Sequence, residues 1–330
     1  KTAYTPGYAL WMEVPYRRHT YSASPSRLDT QAGFGGVLLG LDRQFERLQV
    51  GAAFGVVDGR VKQDVARVDL DGYSFSVYGR YGFADGQPTQ YLDASPTDGS
   101  AQGSTPGSGS RTGVADAHAA GSGAYVVGRL SYVALNARSQ RSLSAMTTTL
   151  NGGGQYHHAS AELGIGSTWS VQQWQVNPEL RLQHTHSQGD GVEESGVNPN
   201  DPFALTVDGL HRQRTGVRAQ LRTSRRITLD QGYLTPQVMV GVQRRLGATP
   251  TSTARLSNLA AMYGNAGPWS IQQSAAVDER TLFSLGLGVQ WQQRLWSAKA
   301  HVNATTSSLR QPFNADSKSL GAGLQVVRWW

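Results

Sequence analysis

Cysteine is absent from all 330 residues. That removes a disulfide framework, a thiolate nucleophile and any cysteine-ligated zinc site. Lysine is nearly absent too. Lys1, Lys62, Lys299 and Lys318 are the whole set, so the net charge of +7 rests on arginine. The arginines are scattered over many segments instead of gathered into one basic run, which argues against nucleic acid as a partner. Charged residues make up only 16%, against a soluble average of about 25%. No apolar run approaches about 18 residues, and mean hydropathy is -0.40. This excludes a transmembrane helix but not a transmembrane barrel, whose signal is alternation. The first residues show no signal-peptide pattern, so an export signal is expected upstream of Lys1 or already removed.

Catalytic signatures are also missing. No G-x-S-x-G, H-E-x-x-H or phosphate loop occurs. His157 and His158 are neighbours on a strand pattern and point to opposite faces. His184 and His186 share a face, but it is the apolar parity continued, and no third metal ligand is evident. The chain is therefore read as neither an enzyme nor a metal or cofactor protein. A lipid hydrolase built on a Ser–His dyad is the one enzymatic alternative that needs no longer motif.

Glycine is abundant, 39 of 330, and the apolar residues follow period two. Phe283, Leu285, Leu287, Val289 and Trp291 share one parity, while Ser284, Gly286, Gly288 and Gln290 share the other. Trp174, Val176, Pro178, Leu180 and Leu182 alternate in the same way with Gln175, Asn177, Glu179, Arg181 and Gln183. About twelve such segments occur, near residues 8–18, 30–43, 47–59, 68–83, 123–138, 153–170, 174–188, 207–228, 232–247, 280–293, 296–307 and 317–330. They are roughly twice the five to six residues usual in a sandwich. Strands of about ten residues with an apolar outer face are what a tilted membrane span requires. The fold class is therefore all-β, a closed antiparallel transmembrane β-barrel of about 12 strands. Pro178 and Pro236 each remove a ladder donor, so a bulge or a water-satisfied gap is expected there.

Connections alternate in length. Short joints fall near 44–46, 171–173, 229–231 and 294–295, with longer polar links between them, as in outer-membrane barrels with short periplasmic turns. Trp169 with Trp174, and Trp291 with Trp296, flank two of the short turns on the apolar parity. They read as a membrane-interface girdle, where an indole suits the headgroup level. Residues 84–122 fall where a short turn is due and are rich in Gly, Ser, Thr and Pro. A disordered loop is expected there.

The other parity predicts a polar lumen lined by Glu13, Asp42, Arg80, Arg129, Glu162, Glu179, Arg181, Arg218, Arg222, Arg245 and Lys299. In "HRQRTGVRAQLR", Arg212, Arg214, Arg218 and Arg222 form a ladder on one strand face. Such a wall suits an anion path, or a rail for a peptide with acidic groups. It could equally hold the wall apart.

Five segments in order, "YALWMEVPYRRHTY", "TQAGFGGVLLGLDRQFERLQVGAAFGVVDGRV", "GYSFSVYGRYGF", "WQVNPELRLQHTHSQGDG" and "YLTPQVMVGVQRRLGATPTSTARL", together resemble the C-terminal translocator domain of classical autotransporters, the type V secretion systems. That family has a Trp-containing first strand, a Gly-hydrophobic-Gly-x-Asp hairpin and a Pro-containing strand seven. The resemblance runs from Tyr8 to Trp330. It implies a twelve-stranded, monomeric barrel in the outer membrane of a Gram-negative bacterium, with a helical linker in its pore and an N-terminal passenger delivered to the cell surface. It also implies that Glu13, Asp42 and Glu162 are recurrent polar interior positions. The terminal Trp330 is implied to be the signal read by the barrel-assembly machinery. The chain departs from the family at Arg328, where an aromatic often stands. Residues 1–7 then read as a linker remnant ahead of a barrel over 8–330, being too few to cross roughly 30 Å as a helix at 1.5 Å per residue. The alternative function is a passive outer-membrane channel with an arginine-lined lumen.

Overall fold

The computed structural model describes residues 7–21, 29–45, 47–83, 123–143, 148–196, 201, 203–246, 251–256, 270–274, 281–307 and 317–329. The loop expected over 84–122, most of the linker remnant and Trp330 lie outside these residues. Among the described residues there are seventeen strands: β1 (Tyr8–Tyr21), β2 (Thr30–Gln44), β3 (Leu48–Gln63), β4 (Ala66–Gly82), β5 (Gly123–Leu143), β6 (Thr148–Val171), β7 (Trp174–Gly189), β8 (Val192–Glu193), β9 (Leu205–Val207), β10 (Leu210–Arg225), β11 (Ile227–Leu229), β12 (Gly232–Leu246), β13 (Thr251–Leu256), β14 (Ser270–Ser274), β15 (Thr281–Gln293), β16 (Trp296–Thr306) and β17 (Ser317–Trp329).

Antiparallel neighbours run β1 to β7 in chain order, then β10, β12, β15, β16 and β17. β1 pairs with β17 over thirteen residues, from Ala9↔Trp329 to Tyr21↔Ser317, which closes the circle. β11 continues β10 along the same partner, β12. The result is a closed barrel of twelve strands.

Side chains alternate in and out around the barrel. On β4 the outward row runs Arg67, Asp69, Asp71, Tyr73, Phe75, Val77, Gly79 and Tyr81, charged beside the two-residue link from β3 and apolar beyond it. β1 presents Leu10, Met12, Val14 and Tyr16 outward in the same belt, and β15 presents Leu285, Leu287 and Val289, all exposed. An apolar belt bounded by polar ends is the surface that hydrocarbon stabilises.

Packing inside depends on cross-strand size matching. Trp11 faces Gly40 across β1 and β2, and Tyr78 faces Gly51 across β3 and β4. A Cβ at Gly40 would stand inside the Trp11 indole, and one at Gly51 would meet Asp42 and the Tyr78 ring. Tyr125 lies against Gly166 and Tyr156 against Gly189 in the same way.

The prolines produce gaps and no bulge. β6 and β7 pair up to Gly166↔Glu179 and resume at Trp169↔Val176 in the same register, skipping the pair that contains Pro178 and the one after it. β12 behaves alike towards β10 and β11, where Ser224↔Gln237 and Ile227↔Leu234 bracket Pro236. On their other sides both prolines sit in continuous ladders, Leu221↔Pro178 and Pro236↔Val289. One missing donor therefore interrupts one ladder and leaves register intact.

Four links are shorter or more ordered than the alternation suggests, and the shortest joins β3 to β4 through Asp64 and Val65 alone. β5 and β6 extend well past the apolar belt, to Leu143 and Thr148, through a stretch where Asn151 to Gln155 offer no apolar parity. The long links on the same side contribute a four-stranded sheet, β14-β13-β9-β8. It is tied to the β5–β6 hairpin by mutual backbone bonds between Asn151 and Ser195, and by Arg141, whose Nε donates to Glu194 Oε1 at 3.0 Å and whose Nη2 donates to the Phe203 carbonyl at 2.7 Å.

Gly40→Ala is expected to lower the thermal unfolding point of the purified barrel, read as the temperature at which its fast-migrating gel band is lost. Overpacking costs about 1–3 kcal/mol, and adding Trp11→Leu should recover part of it.

Candidate functional site: the barrel lumen

Inward residues form two polar centres and a cationic wall. The first centre is built on Asp42 near the short-turn end of β2. Tyr78 OH donates to Asp42 Oδ1, Trp11 Nε1 donates to Tyr78 OH at 3.0 Å, and Gln49 Nε2 donates to Asp42 Oδ2 at 3.1 Å. Asp42, Trp11 and Gln49 are all fully buried. The carboxylate thus collects donors from three other strands, β1, β3 and β4, and ties the indole to the phenol. Sequence reasoning placed Asp42 inside but did not find these partners. The available signal was Gly40 and Gly51, small residues beside the bulky ones.

The second centre is built on Arg181 of β7. Its Nη1 pairs with Glu162 and its Nε with Glu179. Glu179 also accepts from Tyr125 OH at 3.0 Å and from Gln220 Nε2 at 2.7 Å. The Arg80 guanidinium lies 3.8 Å from the centre of the Tyr125 ring, within cation–π range. Strands β4 to β7 and β10 are thereby joined through one network. Arg181 between two carboxylates is charge-assisted and bidentate in effect, the arrangement that makes a buried ion pair hold position.

The wall that adjoins this centre, from β10 through β12 to β16, carries Arg214, Arg218, Gln243, Arg245 and Lys299, all buried and inward. Of the predicted lumen positions, Glu162, Glu179, Arg181 and Arg80 are brought together, and Asp42 anchors the separate centre. Glu13, Arg129, Arg218, Arg222, Arg245 and Lys299 occupy the inward parity of their strands. His158 is also inward, with Nδ1 2.8 Å from Ser187 Oγ, whereas His157 is outward, 2.7 Å from Tyr132 OH. Among the described residues no group of three or more metal-ligating side chains occurs.

Trp169, Trp174, Trp291 and Trp296 lie outside the barrel beside short turns and are exposed. Arg225 stands 5.9 Å from the Trp174 ring and Arg328 5.2 Å from that of Trp296. The turns themselves are tight: Gln172 and Arg294 take φ of 55 and 46 degrees, the left-handed backbone of two-residue hairpins.

Arg181→Met is expected to destabilise the folded barrel by about 3–5 kcal/mol, because it strands two buried carboxylates. Adding Glu162→Gln and Glu179→Gln should restore much of the loss, with thermal unfolding of the purified barrel as the measurement.

The chain superposes on the translocator domain of the autotransporter NalP from Neisseria meningitidis with a TM-score of 0.68 and 13% identity, covering 98% of this chain and 88% of that one. It superposes on the β-domain of the Bordetella autotransporter BrkA at 0.58 and 13%, covering 97% and 98%. For the transport unit of AIDA-I from Escherichia coli the values are 0.55 and 14%, covering 97% and 90%. No curated protein matches by sequence. The family model for the autotransporter beta-domain matches residues 10–303. The chain therefore belongs to the autotransporter beta-domain family, the outer-membrane β-barrels that export a passenger.

Proposed function

We propose that this barrel spans the outer membrane of a Gram-negative bacterium as a monomer, with its short turns in the periplasm, and that its passenger precedes it in the same polypeptide. The passenger leaves through the lumen, and a helical linker remains there. The observation that carries this reading is the polar inward surface: Asp42, Glu162 and Glu179 are held by tyrosine, tryptophan and arginine partners, and Arg214, Arg218, Arg245 and Lys299 line the wall along β10, β12 and β16. An enclosed cationic wall favours a polypeptide segment bearing acidic groups. The role is that of conduit and anchor, with no catalytic step. Trp169, Trp174, Trp291 and Trp296 form the periplasmic girdle, and their neighbouring Arg225 and Arg328 meet the headgroups. Trp330 serves as the signal for the barrel-assembly machinery, so Trp330→Ala should reduce the amount of folded barrel in cells several-fold with little change in total chain.

The test is the denaturing mass of the newly made chain in its own cell, read with an antibody against the barrel. A precursor far larger than 35.5 kDa is expected. A chain near that mass from the start, allowing for a signal peptide, would overturn the export reading in favour of a passive channel.

A further inference from the structure

The lipid-facing wall is not uniformly rough. Outward residues on β4 and β5 are mostly large, yet Gly79 and Gly128 both point outward and pair directly with each other. Their hydrogen-bonded row continues to Val50 on β3 and to Leu163 on β6, since Val50↔Gly79 and Gly128↔Leu163 are partners. Val77 and Leu130 form the bank above this row, and Tyr81 and Val126 the bank below. The result is an open surface groove of about 840 Å3. Its floor is two glycines. A Cβ placed on Gly128 would meet nothing within 4 Å, so the space over it is open.

The groove has a charged end. Arg43 pairs with Val50 and so begins the same row. It lines the groove, and its guanidinium lies 5.2 Å from the Tyr8 ring and 4.8 Å from the Phe45 ring. Two aromatic faces hold that charge outward, next to the short turn after β2. Strand tilt sets the direction. Arg43 is at the turn level of its strand, whereas Leu163 is far up β6 from the turn at Gln172, so the row climbs from the membrane interface into the apolar belt. Four inter-strand steps of about 4.8 Å give a path of roughly 19 Å.

The geometry points to a seated glycerophospholipid: one acyl chain lies along the Gly79–Gly128 floor between the Val77/Leu130 and Tyr81/Val126 banks, and the headgroup phosphate is held by Arg43. An acyl chain needs only apolar walls and an open floor, while arginine supplies two parallel donors to a phosphate. The occupant is a lipid and not free phosphate, because the apolar groove is much larger than the single charged contact at its end. This rests on the exterior of the barrel facing lipid.

The experiment is native mass spectrometry of the full chain, purified in detergent after exposure to phosphatidylglycerol vesicles. Parallel samples receive diacylglycerol of the same chains, or inorganic phosphate as competitor. The wild-type barrel should retain one phosphatidylglycerol, unaffected by inorganic phosphate. Gly128→Leu places its Cβ in open space and should keep the folded gel mobility, yet reduce the retained lipid about ten-fold through lost acyl burial. Arg43→Gln should reduce phosphatidylglycerol retention by a similar factor and leave diacylglycerol retention unchanged. Ala300→Leu, outward on β16, should change neither. Equal retention by wild type and Gly128→Leu would overturn the assignment, as would displacement by inorganic phosphate, or an Arg43→Gln loss that is the same for both lipids. A dimer signal abolished by Gly128→Leu would give the groove to a second copy instead. A chain that never reaches the heat-modifiable folded form in vesicles would contradict the membrane-spanning reading itself, a result distinct from unselective lipid retention by a folded barrel.

Discussion

The constraint on which everything else depends is that hydrocarbon offers no hydrogen bonds to a backbone. A sheet in that medium can leave no edge, so it must close. The thirteen paired residues between β1 and β17 meet that demand. Closure then divides every strand into an outer and an inner row. The outer row can be almost wholly apolar, and the inner row is released to be polar. The prolines show how strict the demand is: Pro178 and Pro236 each interrupt one ladder locally, keep the register on both sides, and remain in a continuous ladder with the other neighbour.

Closure also brings together residues remote in sequence. Asp42, Trp11, Tyr78 and Gln49 meet because four adjacent strands align them, and the glycines at 40 and 51 leave room for the indole and the phenol. Arg181 does the same further round. These two centres lie towards β1 to β7, where the inward surface also holds Leu38, Val127, Phe34 and Leu70 in apolar clusters. The adjoining wall, on β10, β12 and β16, is lined by arginine, glutamine and lysine. The interior is therefore two-sided. Packing and engaged carboxylates stiffen one side, and arginine and lysine give the other its positive charge.

The architecture was legible because period two is a local property. Leu285, Leu287 and Val289 announce their outward row without reference to any other strand, and the paired tryptophans mark turn positions. What depended on cross-strand register was not legible. Nothing in the sequence around Asp42 says that Tyr78 will stand beside it, or that Gly79 and Gly128 will pair to floor a groove. Local reading also failed where neither face is apolar. Around Asn151 to Gln155 the strand persists on ladder bonds and the Arg141–Glu194 contact, and the same is true of the small β8–β9–β13–β14 sheet. Periodicity in hydrophobicity cannot report a strand that stands in water on both sides.

The central claim is that the exported polypeptide runs inside this closed wall. The chain's lack of cysteine permits a direct measurement, in which single cysteines are placed in the barrel of a cell whose passenger is stalled in transit and carries a cysteine of its own. With Gln243→Cys, inward on β12, a disulfide to the passenger is expected. With Leu287→Cys, outward on β15, none is expected. Cross-links from the outward position alone, or from neither position while the passenger is demonstrably stalled, would contradict the account.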